Sequence, residues 1–505
     1  MRLKDILISL DCKLLGPDEG VEVTGISCDS RNIIKTGGGK GALFAAIPGE
    51  RVDGHAFIKN AVENGAACVL AERPAEGVKV PQVIVGDVRE ALSKVSDIFY
   101  GQPSKRLTVV GVTGTNGKTT ITYLLESIFK EAGFNPGVIG TVNYRYGGSI
   151  FPAPHTTPQA PELHKILKEM ADSGVTHCVM EVSSHSLEQK RVGDCRFKCG
   201  VFTNLTHDHL DYHHTMEEYF RCKSILFKLV EGQSGVSVIN IDDQWGRLIK
   251  KDFPSALTYS IREKADISPK EYKLKDGGIE AIISTPKGDV RVSSHLVGEY
   301  NLHNILAAIG AASALGVDPG QIGRGVDRLR RVPGRLEKIE AAGANSFRAY
   351  VDYAHTGDAL ERALQALVAV AKGRIITVFG CGGNRDRLKR PRMGAIATSL
   401  SAVTIITSDN PRDEDPLEII KEIEGGVKGV KKYEPDASFE GKGYMVIPDR
   451  GEAIKKAVRL TRSNDTVLVA GKGHEDYQIV KGKKFHFDDF EALNEAIKEL
   501  SALHQ

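Results

Sequence analysis

Several things are scarce in this chain, and each scarcity excludes something. Charge of one sign is scarce: the formal net charge is +2 over 505 residues, which leaves no electrostatic footing for nucleic acid or an anionic membrane surface as a partner. A long apolar run is missing from the start, where MRLKDILISLDCKLL is broken by Lys4, Asp5, Asp11 and Lys13. That pattern belongs to neither a secretory signal nor a membrane span, so no membrane insertion and a cytoplasmic location are expected. Paired cysteines are also missing. Of eight cysteines only Cys195 and Cys199 lie close together, with no second pair to complete a zinc site, and reduced, mostly buried thiols are expected. What remains is the composition of an ordinary soluble protein, too long for one core; at about 150 residues per domain it predicts roughly three.

The stretch Leu107 to Thr120, LTVVGVTGTNGKTT, runs an apolar β-branched strand into a glycine-rich turn. Such a turn cradles polyphosphate. Gly114 and Gly117 let the backbone bend so that successive N–H groups face the phosphates, Lys118 supplies a point charge, and Thr119 offers a hydroxyl to magnesium. Thr115, Asn116 and Thr120 complete the loop. Ile121, Leu124, Leu125, Ile128 and Phe129 then recur on one helical face, so the loop should open a core-facing helix whose N-terminus is available to anions. Val112 stands where the strict G-x-x-x-x-G-K-T pattern has its first glycine, with Gly111 and Gly114 instead, and a slightly altered loop is expected. The sequence therefore predicts a nucleotide triphosphate as ligand.

Three segments follow different grammars, and the fold class they predict is α/β. Residues 1–102 read as a small mixed domain, with strand-like VEVTGISCDS, GALFAAIPG and AACVLAE and a helix from about His55 to Gly65. Residues 103–332 alternate strand and helix, which predicts a mostly parallel sheet in a central P-loop ATPase domain. Residues 333–505 alternate again after the turn-like Val332-Pro333-Gly334-Arg335. Four apolar strands there, RAYVDYAH, IITVFGCGGN, AVTIITSDNPR and DTVLVAGKGHE, each end in a polar or glycine-rich cluster. Ligands of doubly wound sheets bind at the carboxyl ends of the strands, so four such clusters predict one shared site; ordinary connecting loops of similar composition are the alternative.

Between Met216 and Val230 the apolar positions Met216, Tyr219, Phe220, Leu226, Phe227 and Val230 trace a helix face with Lys223 on it. A lysine so placed snorkels, finds an anion, or loses its charge by desolvation. In the last case the neutral amine can take up carbon dioxide, and the carbamate is an oxygen ligand suited to magnesium.

Taken in order, GTNGKTT, EVSSHSLEQKRV, FTNLTHDHLDYH with Lys223, GEYNLHN, PGRLE, DYAHTGD, GCGGNRDRLKRP, SDNPR and GKGHEDYQ resemble the Mur ligases of peptidoglycan synthesis over essentially the whole chain. The resemblance implies three domains: an N-terminal one for the uridine nucleotide, a central ATPase, and a C-terminal Rossmann-like domain for the incoming amino acid. It implies Ser30 at the uridine side and Thr156, Thr157, Ser183, Gln189 and Arg191 against the UDP-muramoyl dipeptide. It implies metal positions at Glu181 and His209 beside Thr119, a carbamylated Lys223, and adenosine and phosphate contacts from Asn301, Asn304, Arg335 and Asp352. A diaminopimelate pocket is implied at Arg385, Asp409, Asn410, Pro411, Arg412, Gly471 and Glu475. Departures from the family pattern are Gly357, Asn384 and His155.

The expected reaction adds meso-diaminopimelate to UDP-N-acetylmuramoyl-L-alanyl-D-glutamate. ATP phosphorylates the D-glutamate carboxylate and the amine attacks the acyl phosphate, with Mg2+, Lys118, Lys223, His209 and Arg335 as the chemical machinery. Diaminopimelate differs from lysine by a far carboxylate, which the Arg412 guanidinium fork suits. A monomer is expected. Competing readings are a lysine-adding ligase, a folylpolyglutamate synthetase, a regulatory ATPase and a small-molecule kinase.

Overall fold

The computed structural model describes residues 1–33, 40–49, 52–340, 347–437 and 439–503. Two compact units divide the chain: Met1–Gly114 with Gly133–Val201 and Phe220–Ser237, and Thr115–Ala132 with Phe202–Tyr219 and Val238–Gln505. Among the described residues no helix is long and apolar enough to cross a membrane.

In the first unit an N-terminal sheet of five strands has the spatial order Cys12–Leu15, Gln82–Val85, Cys68–Ala71, Lys40–Ala45 and Glu22–Ser27. All its neighbours are parallel except the edge strand Cys12–Leu15. Cys68–Ala71 is buried along its whole length, as a strand covered on both faces must be. Helix Val88–Phe99 starts where the Asp87 carboxylate accepts from the N–H groups of Arg89 and Glu90, an N-cap that satisfies donors the helix leaves unpaired. The helix expected from His55 is split into a 3-10 turn, Gly54–Phe57, and a short helix, Ile58–Glu63.

The phosphate-loop strand Thr108–Thr113 lies inside a second sheet of this unit, between Phe197–Phe202 and His177–Glu181. It runs parallel to the latter, with Glu181 beside Val112, so Glu181 emerges level with the start of the loop. A Cβ on Gly111 would come 2.8 Å from the Phe197 ring. That glycine serves close packing, and the bending of the loop falls to Gly114 and Gly117, at φ 142° and 93°.

In the second unit helix Lys118–Glu131 packs against Glu299–Ala314 and Pro319–Arg328. The last approach is tight because Gly325 leaves room for the Ile128 backbone, and Glu131 receives both Arg324 and Arg328. A three-stranded antiparallel sheet, Ser268–Lys275, Gly278–Ser284 and Val290–Ser294, stands outside the expected parallel pattern.

The C-terminal sheet has seven strands in the order Glu337–Glu340, Arg348–Asp352, Thr466–Ala470, Ile375–Phe379, Val403–Ile406, Gly443–Val446 and Lys431–Lys432. All four strands singled out by sequence are adjacent and parallel. Tyr350 faces a core with Leu360, Leu364, Met393 and Ile419, while Ala349 and Val351 face Ala453, Ile454 and Leu493. Alternate residues thus bury into helical layers on both sides, the arrangement of a doubly wound sheet.

Candidate active site

The phosphate loop is held by its surroundings before any phosphate arrives. The backbone N–H of Asn116 donates to Oδ1 of Asn204 at 3.0 Å, and the Asn116 carbonyl accepts from Thr203 and Asn204. Its side chain donates to Asp358 at 3.1 Å. Lys118 Nζ reaches back to the Thr115 carbonyl at 2.9 Å. Nη2 of Arg335 donates to Oγ1 of Thr119 at 3.2 Å, bringing a second cation to the helix end that would carry phosphate.

Beside the loop opens a cleft lined by Asn116, Gly117, Asp242, Tyr300, His303 and Asn304, among others. A Cβ on Gly117 would come 2.3 Å from Oδ1 of Asn304, so the asparagine lies directly on the loop. Asn304 is oriented by Asn301, whose Oδ1 accepts from its Nδ2 at 3.0 Å. Burial pushes His303 down to about 4 against the pull of Asp242.

Asp352 ends its strand buried, with its two oxygens accepting from the N–H groups of Leu336 and Ala354 at 2.7 and 2.8 Å. It therefore fixes the turn carrying Arg335. Burial raises its carboxyl, opposed by Arg335 and those two N–H groups.

The predicted amino-acid pocket is assembled from three of the four strand ends. Nδ2 of Asn410 donates to Oε2 of Glu475 at 2.9 Å. Nη1 of Arg412 donates to the Gly383 carbonyl at 2.8 Å, and the Arg412 backbone, at φ 52°, is clipped to Ile479. Gly471 is left-handed at φ 127°, with no room for a Cβ beside the Asp409 carboxylate. Pro411 lies buried between Asn410 and Arg412, and Arg385 is exposed on the loop after Gly383. Burial, with Asp409 nearby, raises the Glu475 carboxyl.

Within the first unit another set converges. Thr157 Oγ1 donates to the Glu181 carbonyl and accepts from the Ser183 N–H. Arg191 donates to the Thr157 carbonyl at 2.9 Å and to Gln189 Oε1 at 2.6 Å. Thr156 meets Thr141, which also donates to both oxygens of the buried Glu181. Ser30 is buried, and its carbonyl accepts from Asn64.

Lys223 is 1% exposed and its Nζ donates to the Gly114 carbonyl at 3.0 Å. The inward direction read from periodicity is therefore what is found, and it ends at the phosphate loop. His209 belongs to the second unit. Its backbone N–H donates to Asp208, whose other oxygen lies 3.5 Å from Nε2. Burial would raise the Asp208 carboxyl, but His209, His355 and Lys118 hold it below its usual value.

Sequence reasoning passed over Asp358, Asp208 and Lys472. All three stood within quoted motifs between more conspicuous residues, and Asp358 proves to lie in the opening turn of a helix capped by Thr356. Of the three departures, Gly357 packs against Arg392. Asn384 sits at φ 52° and its Oδ1 accepts from the Asp413 N–H, a conformation asparagine tolerates. His155 contributes its carbonyl to the Tyr144 hydroxyl.

Three family models match the chain: Mur ligase family, catalytic domain, over residues 22–100; Mur ligase middle domain over 112–312; and Mur ligase, glutamate ligase domain, over 334–473. The chain is similar to the UDP-N-acetylmuramoyl-L-alanyl-D-glutamate–2,6-diaminopimelate ligase of Geobacter metallireducens, 44% identical over 520 residues with 100% of both chains covered. It is 43% identical to the ligase of the same name from Clostridium tetani, with 99% of this chain and 100% of the other covered. A solved structure of a UDP-N-acetylmuramoyl-L-alanyl-D-glutamate–2,6-diaminopimelate ligase superimposes with a TM-score of 0.67 at 34% identity, covering 96% of each.

Proposed function

Since this chain belongs to the Mur ligase family of ATP-dependent ligases, we propose that it joins meso-diaminopimelate to UDP-N-acetylmuramoyl-L-alanyl-D-glutamate, releasing ADP and phosphate. The observation that carries this reading is that Asn410 holds the Glu475 carboxylate while Arg412, two residues on and held by the Gly383 carbonyl, is near enough for its charge to act on that carboxylate. A guanidinium beside a carboxylate suits a ligand whose far end bears both a carboxylate and an ammonium group. Diaminopimelate has both, and lysine has only the second.

Chemistry starts from an unreactive carboxylate. Its oxygen attacks the γ-phosphorus of ATP, ADP leaves, and the acyl phosphate so formed carries a good leaving group. The diaminopimelate amine, once deprotonated, attacks the acyl carbon; the tetrahedral intermediate expels phosphate and leaves the amide. Lys118 and Arg335 neutralise charge on the transferring phosphoryl group, and the loop N–H groups orient it. In the second unit Thr119 and His209 offer oxygen and imidazole donors suited to Mg2+; in the first, buried Glu181, presented by Thr141, offers a carboxylate donor. Magnesium, when bound, adds further neutralisation of phosphate charge.

Lys223, 1% exposed beside the Gly114 carbonyl, carries a carbamate in this reading. Residues 1–102 take the uridine end, with Ser30; Thr156, Thr157, Ser183, Gln189 and Arg191 take the muramoyl dipeptide. Residues 103–332 take ATP with Asn301 and Asn304, and 333–505 take diaminopimelate. Work in the cytoplasm follows from a nucleotide-linked substrate and ATP.

Substituting Arg412→Ala tests the reading. Losing one partner of a buried charged contact predicts a fall of roughly 30- to 1000-fold in kcat/KM for diaminopimelate, with the KM for ATP little changed. Undiminished use of diaminopimelate would overturn the assignment.

A further inference from the structure

We propose that Lys472 is a positioning residue for the amino-acid pocket: it sets which way round the Asn410 amide sits, and through it the carboxylate of Glu475. The inference rests on the reading of that pocket given above and adds a residue to it.

The Lys472 side chain is wholly buried. Its ammonium donates to Oδ1 of Asn410 at 3.3 Å and to the Tyr477 carbonyl at 2.5 Å, and lies 3.7 Å from Oδ1 of Asp409. It thus ties the loop after one strand to the loop after another. Oδ1 of Asn410 also accepts from the Ile479 N–H at 2.9 Å. Two donors on the amide oxygen leave the NH2 group facing Glu475, to whose Oε2 it donates. The other carboxylate oxygen faces the Tyr353 hydroxyl at 3.4 Å. Removing the ammonium leaves one donor to orient the amide, and a flipped amide would turn oxygen against carboxylate. Burial works to lower the Lys472 ammonium, and Asp409 opposes it.

What this order serves is the far ammonium group of the substrate, the group Glu475 would receive. The probe is therefore 2-aminopimelate, which keeps the far carboxylate and lacks the far amine. Wild-type enzyme should prefer diaminopimelate over it by about tenfold or more in KM, the worth of a charged hydrogen bond. In Lys472→Met that preference should fall to about threefold or less, with the KM for ATP unchanged as the sign of an intact fold. Lys472→Gln is the second variant. One bond shorter, it cannot span Asn410, Asp409 and Tyr477 together, and the same fall is expected of it should Lys472→Met not fold.

An unchanged preference in a variant that still binds ATP, or an equal loss with both amino acids, would overturn the positioning role. A wild-type enzyme that does not distinguish the two amino acids would instead overturn the pocket reading, and this proposal with it.

Discussion

Arg335 donates to the Thr119 hydroxyl across 3.2 Å while its guanidinium lies 4.7 Å from the centre of the Tyr353 ring. The arginine comes from the turn at Pro333 and the threonine from the phosphate loop, so one contact joins two segments far apart in sequence. Asp352 holds the turn through Leu336, and stacking on Tyr353 limits where the charge can go.

Replacing Arg335 by alanine should therefore lower kcat for diaminopimelate-dependent phosphate release by roughly 100- to 1000-fold, the scale of losing one preorganised charge from a reacting centre. Arg335→Lys should recover little, because an ammonium cannot reproduce the planar fork that stacks on the ring. A steady-state rate within threefold of wild type in Arg335→Ala would remove the residue from the reaction.

Lys223→Ala should abolish most of the activity, and short carboxylic acids such as formate or acetate should restore part of it by standing in for the carbamate. Enzyme equilibrated with 13C-labelled bicarbonate should show a carbamate carbon resonance that the variant lacks. Full activity in Lys223→Ala, or no such resonance in active wild-type enzyme, contradicts the assignment.

Stability should depend on pH through three half-buried histidines. Burial holds His303 and His355 down to about 4 and His474 to about 3, with the charge of Arg335 adding to the effect on His474. The unfolded chain takes up these protons as pH falls through about 6.5, whereas the folded chain stays neutral there. Their contribution is thus complete above that pH and is lost as pH falls toward 4. Asp352 and Glu475, both raised by burial, act in the opposite sense. The readout is therefore a difference: in His474→Phe the thermal midpoint should fall less between pH 6.5 and 4 than in wild type. An identical slope would mean that His474 does not carry this linkage.

Much of this was legible in the chain because local patterns dominate where a strand is buried on both faces. The four C-terminal strands and the phosphate-loop helix could be read from apolar runs and their glycine-rich ends, and Lys223 from one break in a helical stripe. The antiparallel sheet at 268–294 could not: its first strand, SPKEYKLK, is mostly exposed and looks like polar linker. Pairings over long sequence separations are set by the tertiary fold: Lys472 meets Asn410 because their strands share a sheet, and Asn116 meets Asp358 from a different sheet. No window of sequence contains that information. Gly111 shows the converse: it stands one position before the place where the strict motif has its first glycine, and the Phe197 ring explains it by packing.

The account rests on ATP consumption being coupled to one particular amide bond, and the direct measurement is phosphate release against a panel of amino acids with and without UDP-N-acetylmuramoyl-L-alanyl-D-glutamate. Release should require both the nucleotide substrate and an amino acid, with meso-diaminopimelate far ahead of lysine, and the product should carry the mass of the joined pair less water. Release without the amino acid, or equal rates with lysine, would contradict it.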